Sequence, residues 1–147
     1  MKKQVLFIAA MMCMMMHAVS TFADDRVITF EQIPDAAKAF VFNSFPGHTI
    51  SYATIDTDFG KTTYEVYLDN GTELEFDING TIEKVDCGFN TVPSSIVPEA
   101  IANYVRTHYP DTQVTKIDKK SYGYKVELSN NLELKFNHQG TMIGIGH

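Results

Sequence analysis

The chain has 147 residues, 44% of them hydrophobic, with no tryptophan, 12 basic and 18 acidic side chains and a formal net charge of −6. That acidity argues against nucleic acid and anionic lipid partners, both of which need clustered Lys and Arg. No apolar run is long enough for a comfortable membrane span.

The first element in the chain is a secretory leader. Lys2 and Lys3 precede an almost wholly apolar run at 5–19, and Thr21-Phe22-Ala23 stands before Asp24-Asp25. This is the order of basic, apolar and small-residue regions that a signal peptide shows. Cleavage is expected after Ala23, with the bond after Ser20 as the alternative. Cys13 follows Ala10-Met11-Met12 rather than the Leu-small-small spacing of a lipobox, so it reads as apolar filler. No membrane anchor is expected after cleavage, and the location is expected to be periplasmic or secreted. Loss of residues 1–23 takes 12 basic groups to 10 against 18 acids, a net charge of −8 over 124 residues. A chain of that size buries roughly two-thirds of its unfolded surface, enough for one core. Its single cysteine, Cys87, forms no internal disulfide despite the oxidising compartment, and burial is favoured over pairing between chains.

The remainder reads as one unit written twice. Ile33-Pro34-Asp35 matches Val97-Pro98-Glu99, and Phe45-Pro46 matches Tyr109-Pro110. Further on, Glu73-Leu74-Glu75-Phe76 matches Glu133-Leu134-Lys135-Phe136. The expected organisation is a signal peptide at 1–23, a first repeat at 24–86 and a second at 87–147, the two together making one domain. Each repeat opens with a helix. Ile33, Ala36, Ala37, Phe40, Val41 and Phe45 form an apolar stripe of 3.6 period, and Val97 to Tyr109 repeats it. Pro34 and Pro98 suit a first helical turn, and Pro46 and Pro110 stop each helix. Strands are predicted at 49–56, 62–68, 72–77 and 81–86, and again at 113–118, 122–128, 132–137 and 141–145. The fold class is therefore expected to be α+β. It is a tandem repeat of helix plus four-stranded antiparallel β-meander, in one continuous antiparallel sheet with both helices on one face.

Side-chain parity selects the turns. A two-residue hairpin at Asn70-Gly71 sets Val66 and Leu68 on one face with Glu73 and Glu75, which a half-buried sheet forbids. A three-residue loop, Asp69-Asn70-Gly71, pairs Val66 with Leu74 instead and brings the apolar residues together. The same loop at 78–80, 129–131 and 138–140 pairs Phe76 with Ile82, Val126 with Leu134 and Phe136 with Met142. Its third position is Gly71, Gly80, Asn131 or Gly140, residue types that tolerate positive φ. The core face is then Tyr64, Val66, Leu68, Leu74, Phe76 and Ile82 with their counterparts, and the opposite face is open to solvent.

On that open face, simple alternation sets Glu65 opposite Glu75 and Glu75 opposite Glu83. Such a row of carboxylates attracts a hard cation such as Ca²⁺, or is a solvated surface screened by Lys61 or Lys84. Tyr67 projects beside Glu73, with Tyr52 near it; aromatics on a polar face serve as binding hot spots, or are ordinary isolated surface residues, the reading favoured here. Asp56-Thr57-Asp58-Phe59-Gly60 lacks the later ligands of a calcium loop and reads as a hairpin turn. His48, His108, His138 and His147 are dispersed, and Cys87 carries no supporting thiol-catalysis signature. The glycines are all explained as turns, so no phosphate loop, cofactor motif or catalytic set is expected.

The repeated [IV]P[DE]A…[FY]P…ELxF…G pattern behind a signal peptide resembles the PepSY-like, β-lactamase-inhibitor-like family of exported bacterial proteins. The resemblance runs over residues 33–147. It implies the tandem helix-and-strand unit, an extracytoplasmic location, and protein binding or inhibition through the open sheet face. No inhibitory residue is carried over, because the chain has no Trp and one mature Cys. The expected function is thus a non-enzymatic exported binding module for an unknown protein or peptide. Its candidate residues are Glu65, Tyr67, Glu73, Glu75 and Glu83. The alternative is a small calcium-binding module on Glu65, Glu75 and Glu83.

Overall fold

In a computed structural model, residues 25–146 are described; the leader, Cys13 and His147 lie outside them. The chain order is β1 (Arg26–Ile28), a single 3₁₀ turn (Phe30–Gln32), α1 (Asp35–Ser44), β2 (Ile50–Asp58), β3 (Lys61–Leu68), β4 (Glu73–Asp77) and β5 (Ile82–Asp86). After a connector come α2 (Glu99–His108), β6 (Val114–Lys120), β7 (Gly123–Leu128), β8 (Glu133–Asn137) and β9 (Met142–Gly146). All nine strands form one antiparallel sheet in the order of the sequence.

This corrects the expected fold class. Among the described residues the protein is mostly β, a nine-stranded sheet with two ten-residue helices, and not a tandem repeat of helix plus four-stranded meander with both helices on one face. The additional strand, β1, lies before α1 and pairs with β2 through Arg26↔Ile55, Val27↔Thr54 and Ile28↔Ala53. Three residues are too few for an alternation signal, and only Ile28 of the three is buried. What recruits them is the nine-residue β2, whose outer hydrogen-bonding groups would otherwise stand open along an edge.

The core follows the pleat. Val66↔Leu74↔Val85↔Ile117↔Val126↔Leu134 is a continuous cross-strand row, and every member is buried. Phe76 and Phe136 are fully buried and take edge-on contacts from Phe40 of α1 (5.6 Å) and Tyr104 of α2 (5.5 Å). Each such side chain contributes about 1.5–3 kcal/mol by burial. Pro34 and Pro98 occupy the helix caps, one position before the first turn expected for them, with extended ψ near 138°.

The predicted three-residue loops are present. In each, the last strand residue takes a hydrogen bond on its carbonyl from the third loop residue: Gly71 N–H to Leu68 O, Gly80 to Asp77, Asn131 to Leu128 and Gly140 to Asn137. The third positions have φ of 83°, 79°, 64° and 79°. An Asn or Asp side chain closes each loop: Asn70, Asp77, Asn130 and Asn137 accept backbone N–H groups two or four residues on. At Gly80 the freedom is also spatial, because an added Cβ would lie 2.9 Å from the Pro34 Cβ. The Asp56–Gly60 segment is the β2–β3 hairpin, with Phe59 and Gly60 both at positive φ and Asp58 opposite Lys61.

Candidate functional site

The open face is a lattice of charge rather than a bare polar surface. One transverse row reads Thr54↔Glu65↔Glu75↔Lys84↔Asp118↔Lys125↔Lys135 across β2 to β8. The adjacent row reads Tyr52↔Tyr67↔Glu73↔Asp86↔Lys116↔Glu127↔Glu133.

Glu65 faces Glu75 as expected, but Glu83 does not join them. A bulge between Glu75 and Phe76 inserts one residue into the β4–β5 pairing, so Glu75 sits opposite Lys84. Glu83 instead binds Lys61 at 2.8 Å, away from the cluster. The third carboxylate comes from Glu73. Oxygens of Glu65, Glu73 and Glu75 lie within 4.8 Å of one another, all half-buried. The bulge was foreshadowed in Thr81-Ile82-Glu83-Lys84-Val85, where two core residues, Ile82 and Val85, stand three apart and break period-2 parity.

Lys84 enters this cluster and donates to Glu73 Oε1 at 2.7 Å and Glu75 Oε1 at 2.8 Å. Burial alone would pull its pKa down, but the two hydrogen bonds and the two nearby carboxylate charges outweigh that and hold it above the ordinary lysine value. Tyr67 closes the other side. Its hydroxyl donates to Glu65 Oε2 at 2.8 Å, and burial together with this carboxylate pushes its pKa well above the usual phenol. Tyr52 stacks on Tyr67 with ring centroids 4.3 Å apart and an interplanar angle of 11°. Tyr52 is 49% exposed and offers an aromatic surface beside the acids.

The second half of the face differs in chemistry. Asp118 is nearly buried, its side chain 7% exposed, with Lys120 at 3.6 Å and Lys125 at 3.9 Å. Its Oδ1 has no hydrogen-bond partner among the described residues. Lys125 also reaches Glu133 at 3.3 Å, and Lys116 reaches Asp86 at 3.2 Å. The position of Glu75 is taken by Lys135, so three carboxylates converge in the first half alone among the described residues.

The remaining candidates are scattered. His48 holds Asp69 at 2.7 Å and keeps that carboxyl below its ordinary range, His108 stacks on Tyr104, and His138 bonds the Ser121 carbonyl. Cys87 is 3% exposed, and burial pushes its thiol up. No helix among the described residues is long and apolar enough to cross a membrane.

A family model described as "Putative beta-lactamase-inhibitor-like, PepSY-like" matches residues 62–144. Three solved structures are similar over 84% of this chain. A "putative periplasmic protein" of the DUF2874 family from Bacteroides vulgatus is 39% identical, covered over 98% of its length, with a TM-score of 0.79. A "putative calcium-regulated periplasmic protein" from Bacteroides thetaiotaomicron is 40% identical, covered over 98%, with a TM-score of 0.80. A "putative periplasmic protein of unknown function" from Bacteroides vulgatus is 32% identical, covered over 100%, with a TM-score of 0.81. A comparison with the curated proteins found no match. The protein is accordingly an exported one, periplasmic or secreted. With its motifs, sheet order and relatives in agreement, the chain belongs to the PepSY-like, β-lactamase-inhibitor-like family.

Proposed function

We propose that the protein is a non-enzymatic binding module that engages a protein or peptide through the tyrosine-and-carboxylate patch of the open face. The observation behind this reading is the stacked Tyr52–Tyr67 pair, anchored by Glu65 and bordered by Glu73 and Glu75. A rigid aromatic surface ringed by acids fits a basic or amide-rich segment, and aromatic anchors dominate binding energy in such patches. Capture from a native envelope extract tests it, comparing wild type with a Tyr52→Ala/Glu75→Ala variant of unchanged circular dichroism. A protein retained by wild type and lost by the variant is the expected result. Identical captures would remove this face from consideration.

A second reading, calcium binding at Glu65, Glu73 and Glu75, is favoured by the convergence of their oxygens and by the relative described as calcium-regulated. Ca²⁺ takes 6–8 oxygen ligands, and it would have to displace the Lys84 ammonium from Glu73 and Glu75. The expected signature is a Ca²⁺-dependent rise in melting temperature, about 2.7 kcal/mol of stabilisation at a hundredfold excess over Kd. The rise is expected to be lost in Glu73→Gln/Glu75→Gln. A calorimetric titration without heat or thermal shift would end this reading.

A further inference from the structure

The sheet surface beside α1 is not fully covered. Between α1 and the segment entering α2 lies a cleft of about 460 Å³, within the size range of small-molecule sites. Its apolar lining is Phe40 from α1, Ile82 and Val85 from β5, Ile96 from the connector, Ile117 from β6 and Tyr124 from β7. Asn43, Ser44 and Ser95 supply polar groups to its lining. Three charged residues border it, and two are already engaged. Glu83 holds Lys61, and the Lys84 ammonium is bound to Glu73 and Glu75 on the opposite face. Lys119 is the third. It stands opposite Tyr124, is exposed, and has no ion-pair partner among the described residues.

We propose that this cleft binds one small amphipathic carboxylate, its apolar body against Phe40, Ile82, Ile117 and Tyr124 and its carboxylate on Lys119. The charge distribution selects this class of ligand. Most lysines among the described residues are paired, and Lys119 leaves one ammonium free beside an apolar hollow, where a cationic ligand would be repelled and a neutral one would leave the ammonium unused. The volume suits a single molecule rather than a partner helix, which is about 10 Å wide with its side chains. The site is separate from the open face, because Lys84 and Val85 project to opposite sides of β5.

Decanoate, below its micelle-forming concentration, is the probe, titrated into the full mature chain by calorimetry with 1-decanol as the uncharged control. Saturable one-to-one binding is expected, about tenfold weaker in Lys119→Gln and about tenfold weaker for 1-decanol on wild type. Filling the hollow with Ser95→Trp is expected to abolish it. Ser95 and Lys119 are both exposed, so neither change disturbs the core, and Asn43→Trp serves if Ser95→Trp does not fold. Absence of saturation, or affinity unchanged in the tryptophan variant, would overturn the site. Equal affinity of wild type and Lys119→Gln would overturn the carboxylate assignment.

Discussion

Replacing Lys84 with Met keeps most of the hydrocarbon stem and removes the ammonium from between Glu73 and Glu75. The lysine side chain is 17% exposed and its partners 30% and 27%, so water reaches the pair only in part. A hydrogen bond to a charged group contributes about 1.5–3 kcal/mol net when well buried, and exposed ion pairs about 0–1. For two bonds at this intermediate exposure, about 2 kcal/mol is expected, with Glu65, Glu73 and Glu75 left in mutual repulsion. At about 2.1 cal/mol/K per residue of unfolding entropy, that corresponds to roughly 8 °C in Tm for a domain of this size. The sign with pH follows from the raised lysine pKa: the contribution is fully present below the unfolded lysine value and fades only as pH climbs through the folded one. Urea unfolding of wild type, Lys84→Met, Glu75→Gln and the double variant gives the coupling, expected at about 1 kcal/mol. A Lys84→Met loss below about 0.5 kcal/mol would show that water substitutes for the ammonium, and the cluster would then be an ordinary wet surface.

Two further outcomes bear on backbone and pH. Gly123 has φ of 142°, and an added Cβ would run into the Phe136 carbonyl oxygen across the β7–β8 pairing; Gly123→Ala is expected to cost about 2–4 kcal/mol by denaturant titration, and a loss below 1 kcal/mol would contradict the local geometry. Tyr67 ionises above the ordinary phenol value in the folded protein, so its contribution is intact below about pH 10 and lost as pH rises from there toward the folded value. An ultraviolet titration should show Tyr67 and Tyr122, whose phenol burial also raises, ionising late, with one late tyrosine fewer in Tyr67→Phe; an unchanged titration curve in that variant would place the perturbed phenol elsewhere.

Local chemistry determines much of this protein without any tertiary contact. The loops at 69–71, 78–80, 129–131 and 138–140 were legible because parity, positive-φ residue types and Asx acceptors all act within a few residues. The burial of Val66, Leu74, Phe76, Val126, Leu134 and Phe136 followed from the same parity. The Glu65–Glu75 and Tyr67–Glu73 neighbours followed too, since one correct loop sets every pair in its hairpin. The tertiary structure decided what depends on strands distant in sequence. It added β1 to the sheet, because the exposed edge of β2 recruits residues that have no strand signal of their own. It shifted Glu83 out of the acidic row, because Ile82 and Val85 both had to reach the core and only a bulge allows that spacing. It brought β5 beside β6, which set Lys84 opposite Asp118 and opened the cleft above Ile117. Alternation specifies a face within one hairpin, whereas register across a bulge and contact between separate hairpins are settled by how the whole core packs.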